Sequence, residues 1–304
     1  MMRDPVKVAV VQIEPVVFDR DATIEKMAGA VAEAAAAGAK LVVFPEAFIP
    51  VYPSSTWSRA LAFWHSKPAK EMFARLARQA VEIPGPAHDR LASIARDNGV
   101  WLVTGATERD PAHPGTLYNS LLYYSPTGEL ANRHRKTVPT AHEKLIWGQG
   151  DASGIPAIDT EIGRIGGLIC WENYMPLARF ALYQSGVEIY IAASADEADT
   201  WQQSLGHFAR EAGAYVLSPC HFQRRTSYPE DFELGPLPET YAPRAGSAIV
   251  APDGSYLAGP LFGEEGILYA ELDPQMILEV RQRHDAAGHS NRPDLFDFSL
   301  RETA

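Results

Sequence analysis

Residues 162–176 run IGRIGGLICWENYMP. Apart from Arg164, the first eight are apolar residues and glycines without a helical period, which predicts a buried strand. That strand runs into Cys170, and Pro176 opens a helix to about Ser185, closed by Gly186. The same alternation continues on both sides. Downstream, residues 188–192 read as a strand. Asp199 and Gln202 form an expected capping box for a helix whose Trp201, Leu205, Phe208, Ala209 and Ala212 share one face. Residues 215–217 are a further strand, ending near Cys220. Upstream, residues 6–13 are a strand, and residues 21–37 are a helix with Ile24, Met27, Val31 and Ala34 on one face, Asp21 as its cap and Gly38 as its stop. Leu41–Phe44 is a short buried strand ended by Pro45, with Glu46 at its exit.

Residues 56–80 read as one helix carrying Trp57, Phe63 and Trp64, and residues 87–97 as a second, stopped by Asn98-Gly99. Residues 100–106 are a strand. Residues 118–124 and 129–134 flank Ser125-Pro126-Thr127-Gly128 as a hairpin. Residues 226–244 are Pro-rich and polar, an irregular loop. Late strands at 248–252, 256–258 and 267–272 surround an Asp253-Gly254 turn, and residues 274–284 form a last helix. Alternating strands and helices define an α/β fold with helices covering sheet faces. No composition break divides the 304 residues, so one domain is expected, with a short tail after about 285.

A composition of 46% hydrophobic and 21% charged residues describes a folded rather than a disordered chain. The net charge of −11 argues against non-specific nucleic-acid binding and against docking on anionic lipid. No apolar run is long enough to span a membrane, and no leader-like segment follows Met1. Two cysteines, Cys170 and Cys220, are too few for a disulfide framework or a four-thiolate zinc site, and point to a reducing cytoplasm.

Three residues sit where chemistry could occur. Cys170 lies at a strand exit beside glycines and just before a helix start, a setting that favours an anion. Taken alone, a cysteine at a strand end is usually an inert small hydrophobe. Glu46 follows an apolar strand. If buried, its pKa would rise and suit a general base; the plain alternative is a rim carboxylate. Lys136 ends the basic run Arg133-His134-Arg135-Lys136, which is either a solvated face or a place where one cation turns inward. Glu143 follows seven positions later. His142-Glu143-Lys144 lacks a second histidine four residues on, which excludes a zinc motif there, and no phosphate, dinucleotide or serine-elbow motif is present. His207 and Cys220 read as packing residues, as do Trp57, Trp147, Trp171 and Trp201, although apolar pockets use the same residue types.

Together these stretches resemble the nitrilase family of the carbon–nitrogen hydrolases. The likeness rests on Phe44-Pro45-Glu46-Ala47-Phe48-Ile49-Pro50, His134-Arg135-Lys136 through Glu143 to Asp151, Gly167–Arg179, Asp199-Thr200-Trp201, Tyr215–Ser218 and Gly288–Asp294. It departs at Val51, at Ala193-Ser194-Ala195-Asp196, and at Ser290 and Asn291. The resemblance implies a four-layer α-β-β-α sandwich. It implies Cys170 as nucleophile, Glu46 as general base, Lys136 as the cation that stabilises tetrahedral intermediates, and Glu143 as the carboxylate that orients the lysine. It implies no metal and no organic cofactor. Trp171, directly after the cysteine, resembles the nitrile-cleaving branch rather than the amidases and N-carbamoylases. Tyr52, Trp147, Trp171 and Tyr174 are the expected substrate-binding residues, by proximity to the motifs. A homodimer or a small oligomer built from dimers is the expected assembly.

Overall fold

A computed structural model describes residues 2–63, 65–230 and 244–301. Two six- and seven-stranded sheets form its centre. The first contains β1 (Val6–Gln12), β2 (Leu41–Val43), β3 (Val81–Glu82), β4 (Trp101–Arg109), β5 (Leu117–Tyr124), β6 (Leu130–Arg135) and β13 (Gly266–Leu272), in the order β13-β1-β2-β4-β5-β6 with β3 beside β4. The second contains β7 (Ile158–Thr160), β8 (Gly163–Ile169), β9 (Ile189–Ala193), β10 (Tyr215–Ser218), β11 (Ala245–Val250) and β12 (Tyr256–Phe262), running β12-β11-β10-β9-β8-β7. β1, β2 and β4 pair in parallel, as do β8, β9 and β10, while β13 returns antiparallel to β1.

Strand periodicity explains the layering. Val8, Val10, Val43, Val103, Leu121 and Tyr123 of the first sheet meet Ile165, Ile169, Ile189, Ile191 and Leu217 of the second in one core between the sheets. The alternate residues Ala9, Val11, Val42, Leu102 and Leu122 point the other way, against Ile24, Met27 and Val31 of α1 (Arg20–Ala36) and Leu91, Ile94 and Ala95 of α4 (Pro86–Asn98). On the far side Leu168, Tyr190, Ala192 and Val216 pack on α5 (Pro176–Gln184) and α6 (Asp199–Ala212). Strands covered on both faces need apolar residues at every position, so their sequences show no polar alternation. The result is the four-layer α-β-β-α sandwich.

Several local expectations change. α1 is capped by Asp19, whose side chain accepts from Ala22 N, and Asp21 lies inside the first turn. The expected helix over 56–80 is broken into α2 (Ser55–Ser58), a 3-10 turn (Arg59–Ala62) and α3 (Lys67–Arg78). Pro68 cannot lie within a continuous helix, and Ser66 caps the new start by accepting from Ala69 N. The capping box on α6 does not form: Ala198 is the cap, Asp199 pairs with Arg244, and Gln202 donates to the Gly246 carbonyl. The last helix, α7, spans Pro274–Arg281. Most of the loop over 226–244, and Trp64, lie outside the described residues.

One glycine ties the sandwich to the Glu46 segment. The chain leaving β2 runs along β4, with Gly105 N donating to the Pro45 carbonyl at 3.1 Å and Ile49 N to the Gly105 carbonyl at 3.3 Å. A Cβ on Gly105 would lie 2.2 Å from the Pro45 oxygen and 2.7 Å from the Glu46 Cα. Both obstacles are backbone and cannot swing aside. Gly105→Ala should therefore cost about 1–3 kcal/mol of unfolding free energy in urea titration, and any folded fraction should lose activity because the displaced backbone is that of Glu46.

Candidate active site

Three strand exits converge. Glu46 follows β2, Lys136 follows β6, and Cys170 follows β8 from the opposite sheet. Lys136 and both carboxylates are buried. Lys136 Nζ donates to Glu46 Oε1 at 2.8 Å and to Glu143 Oε2 and Oε1 at 2.7 and 3.0 Å. Glu46 Oε1 also accepts from Asn119 Nδ2 at 2.8 Å, and Oε2 accepts from Ala195 N at 3.0 Å. Glu143 sits in a 3-10 turn (Ala141–Leu145), where its Oε2 accepts from Thr140 N at 2.7 Å and its Oε1 from the Tyr52 hydroxyl at 2.8 Å. One buried ammonium thus lies between two buried carboxylates.

The electrostatics follow from burial and this charge pattern. Burial drives the Glu46 pKa up, Lys136 pulls it down, and Glu143 adds to the rise, leaving it at about 6. Burial alone would depress Lys136, but Glu46, Cys170 and Glu143 carry its pKa above the usual lysine value, so it stays an ammonium. Burial and the Glu46 charge push the Cys170 thiol well up, with Lys136 and Ser194 opposing. Desolvation also raises the Tyr52 phenol, which stays a hydrogen-bond donor.

Cys170 begins a 3-10 turn (Cys170–Tyr174) and takes the left-handed backbone conformation, φ 52°. In such a turn residues three apart share a face. Cys170 and Asn173 face the interior, where Asn173 Nδ2 donates to the Cys170 and Leu168 carbonyls at 2.7 and 3.1 Å. Trp171 and Tyr174 share the outer face, their rings edge-on at 5.7 Å. Glu172 alone points underneath. It is buried, its Oε2 2.7 Å from His134 Nε2 and accepting from Ile169 N at 2.9 Å, its Oε1 accepting from Thr137 N and Thr137 Oγ1 at 2.8 and 2.6 Å. Burial disfavours its charge, yet the His134 ring and these donors outweigh that and hold its pKa at about 2. Glu172 therefore fastens the Cys170 turn to the two residues that flank Arg135-Lys136.

Of the expected site residues, Glu46, Lys136, Glu143 and Tyr52 form one hydrogen-bonded group. Trp147 packs near Tyr52, ring centroids 6.2 Å apart. Trp171 is about half exposed, with its indole N–H on Asp196 Oδ2 at 2.8 Å. Tyr174 is set apart: its hydroxyl pairs with Ser204 of α6 and its ring packs on Trp201 and Phe208. His207, also on α6, pairs at 3.8 Å with Glu211 away from this group. Asn119, Glu172 and His221 enter the site without having been singled out, and Ser194 enters from the Ala193–Asp196 stretch where the resemblance departs. His221 Nε2 accepts from Tyr52 N at 3.2 Å, and desolvation lowers its pKa to about 3, so it is neutral. Glu172 had a signal, being two residues after the cysteine. Asn119 and His221 had none, because only strand pairing brings them here.

The sandwich, with carboxylate, ammonium and thiol at its strand ends, defines a thiol hydrolase architecture. The carbon–nitrogen hydrolase family pattern matches residues 7–282. Nitrilase 2 of Arabidopsis thaliana is 41% identical over 304 residues, covering 98% of this chain and 89% of its own. The bifunctional nitrilase/nitrile hydratase NIT4B of Nicotiana tabacum is 42% identical over 306 residues, covering 98% and 87%. The crystal structure of Saccharomyces cerevisiae Nit3, of the nitrilase superfamily, superposes with a TM-score of 0.76 at 24% identity, covering 96% of this chain and 98% of that one. The chain belongs to the carbon–nitrogen hydrolase family.

Removing one oxygen of the Glu172 carboxylate strands a buried donor. Glu172→Gln should lower stability by about 3 kcal/mol in denaturant titration. It should also reduce kcat more than it raises KM, since the Cys170 and Lys136 segments lose their common anchor.

Proposed function

We propose that the protein is a nitrilase that hydrolyses an organic nitrile to a carboxylic acid and ammonia through Cys170. The observation that carries this reading is the buried Glu46–Lys136–Glu143 group beside the Cys170 turn. The plant relatives named nitrilase, matching nearly the whole chain, support the nitrile as substrate.

Each group has a step. Glu46 takes the thiol proton as Cys170 sulfur bonds to the nitrile carbon, and the nitrile nitrogen gains a proton to give a thioimidate. Water, deprotonated by Glu46, adds to that carbon. Expulsion of ammonia leaves a thioester, and a second water releases the acid and restores the thiol. Lys136 and the backbone N–H near Trp171 stabilise the charge that develops off the reacting carbon. Glu143 and Tyr52 hold the ammonium in place. Loss of sulfur instead of ammonia from the first tetrahedral adduct would give an amide, the product implied by the second half of the tobacco relative's name. Tyr52 and Trp147 would form one wall of the nitrile pocket, Trp171 its rim. Tyr174 would support Trp171.

We further read the chain as one catalytic unit, assembled as a dimer or a small oligomer of dimers in the cytoplasm. The antiparallel return of β13 to β1 supports the single unit, and the two free thiols support the compartment. Among the described residues no helix is long and apolar enough to cross a membrane.

The test is ammonia release with acid and amide identification on phenylacetonitrile, benzonitrile, an aliphatic dinitrile, cyanide and the matching amides. Acid and ammonia from a nitrile are expected, and Cys170→Ala should abolish both. Turnover of amides alone would assign the same residues to an amidase. Robust nitrile turnover by folded Cys170→Ala would overturn the mechanism.

The base must be ionised to accept a proton, and Glu46 is ionised only above its pKa of about 6. kcat/KM should therefore fall about tenfold per pH unit below about pH 6 and level off above it. Glu46→Gln should abolish this acid limb together with most of the activity.

A further inference from the structure

We propose that Ser194 is a further catalytic residue, whose hydroxyl donates a hydrogen bond to the Cys170 sulfur whenever that sulfur carries charge. The inference rests on the reading of Cys170 as nucleophile. Ser194 follows β9 and is fully buried, with its Oγ 3.2 Å from Cys170 Sγ. Asp196 N donates to the same Oγ at 2.9 Å. With that lone pair engaged, the single hydroxyl proton is directed at the sulfur.

The backbone gives the side chain little freedom. Ser194 N donates to the Pro219 carbonyl at 3.0 Å, and the Ser194 carbonyl accepts from His221 N at 2.8 Å. The next residues are held as well. Trp171 Nε1 reaches Asp196 Oδ2, Ala198 N donates to Asp196 Oδ1 at 2.9 Å, and the Cys220 thiol donates to the Asp196 carbonyl at 3.4 Å. A closed circuit results: Cys170 to Trp171 by covalent bond, Trp171 to Asp196 and Ser194 to Cys170 by hydrogen bonds. Ala195 N, between them, donates to Glu46 Oε2 and also faces the Cys170 sulfur. The β9 exit thus touches both the nucleophile and its base.

This placement answers a specific need. The sulfur is pressed by Glu46 and by burial, and Lys136 is shared between two carboxylates. A neutral donor stabilises negative sulfur without adding a charge that would lower the basicity of Glu46. It acts twice per turnover. In the first step the S–H bond breaks, the proton goes to Glu46, and the S–C bond forms. In the last step the S–C bond of the tetrahedral thioester adduct breaks, its electron pair returns to sulfur, and sulfur recovers the proton. Charge on sulfur is greatest near both events.

The charged and titratable groups around the sulfur are Glu46 from the β2 exit, Lys136 from the β6 exit, Tyr52 and Glu143 beyond the lysine, Cys220 from the β10 exit, Asp196 on the β9 loop, and Glu172 with His134 below. None of these side chains is replaced by substitutions at Ser194; Ser194→Ala and Ser194→Val also remove the acceptor of Asp196 N, which Ser194→Thr keeps.

Ser194→Ala, Ser194→Thr and Ser194→Val are compared with wild type and Cys170→Ala. The readouts are kcat and KM on phenylacetonitrile, or whichever nitrile the panel identifies, and the rate of Cys170 alkylation by iodoacetamide at pH 8, located by peptide mass. Ser194→Ala and Ser194→Val should lose about tenfold or more in both kcat and alkylation rate with KM changed by less than about threefold, the size of one hydrogen bond to a charged acceptor. Ser194→Thr should recover most of both rates. Thr and Val match in volume, so their comparison decides the matter even if the alanine variant fails to fold. Equal rates in the Thr and Val variants would overturn the proposal, whether both are fast or both are slow. In that case an inactive Cys170→Ala would leave the nucleophile assignment standing, whereas an active one would remove it.

Discussion

A single ammonium held between two buried carboxylates is the constraint on which the rest of the site depends. Lys136 cannot lose its proton while Glu46 and Glu143 are both within 3.0 Å, and with both carboxylates ionised the buried group carries one negative charge in excess. Such a group adds little to stability, because desolvation offsets most of the Coulombic gain. What it provides is a set of fixed potentials. Glu46 is lifted to about 6, where a carboxylate can take and return a proton near neutrality. The second carboxylate is what makes this possible, since Lys136 paired with Glu46 alone would leave the base weaker.

The sandwich supplies the geometry at a local backbone cost. Glu46 and Lys136 come from the first sheet and Cys170 from the second, so the two sheets must stay in register for the thiol to face its base. The chain turns abruptly at each approach. Ala47, Ala141 and Cys170 have φ of 44°, 46° and 52°, a region that residues with a Cβ rarely adopt. Non-glycine residues persist in such conformations only where surrounding packing over-determines them. Here that packing includes Gly105 under the Glu46 segment, the capping interaction of Glu143 with Thr140, and the Glu172 anchor beneath Cys170.

How much of this was legible in the sequence depended on the range of the interaction. The strand alternation, the apolar faces of α1 and α6, and the exits bearing Glu46, Lys136 and Cys170 are local patterns, and the motif resemblance joined them. The break at Pro68 was legible in principle, but the aromatic stretch Trp57, Phe63 and Trp64 before it joined residues 56–80 into one helix. Asp199 offered a cap, yet Arg244, 45 residues away, claims its carboxylate. The choice of Trp171 and Tyr174 as pocket residues illustrates a different limit. Both lie near Cys170 along the chain, but a 3-10 turn sends neighbours to different faces, and these two share the outer face, from which Trp171 reaches Asp196 while Tyr174 turns to Ser204 of α6. Asn119 reaches the site only through the pairing of β5 with β6, and Ser194 through that of β9 with β8, which no window of sequence displays.

The same network that empowers the base restrains the nucleophile. A cysteine activated by a lowered pKa exists largely as thiolate, and so is open to oxidants and stray electrophiles. Cys170 is pushed the other way by burial and by Glu46, so its resting form is the thiol. On the proposed mechanism reactivity then appears only when an electrophilic carbon sits against the sulfur while Glu46 is free to take the proton. The nitrile carbon is a weak electrophile that gains from such a concerted attack. Lys136 and the donors at the β9 exit become more favourable as charge moves from sulfur to the substrate nitrogen. A buried thiol beside a base near pKa 6 is therefore a selective arrangement: it trades the standing reactivity of a thiolate for reactivity that the bound substrate itself completes.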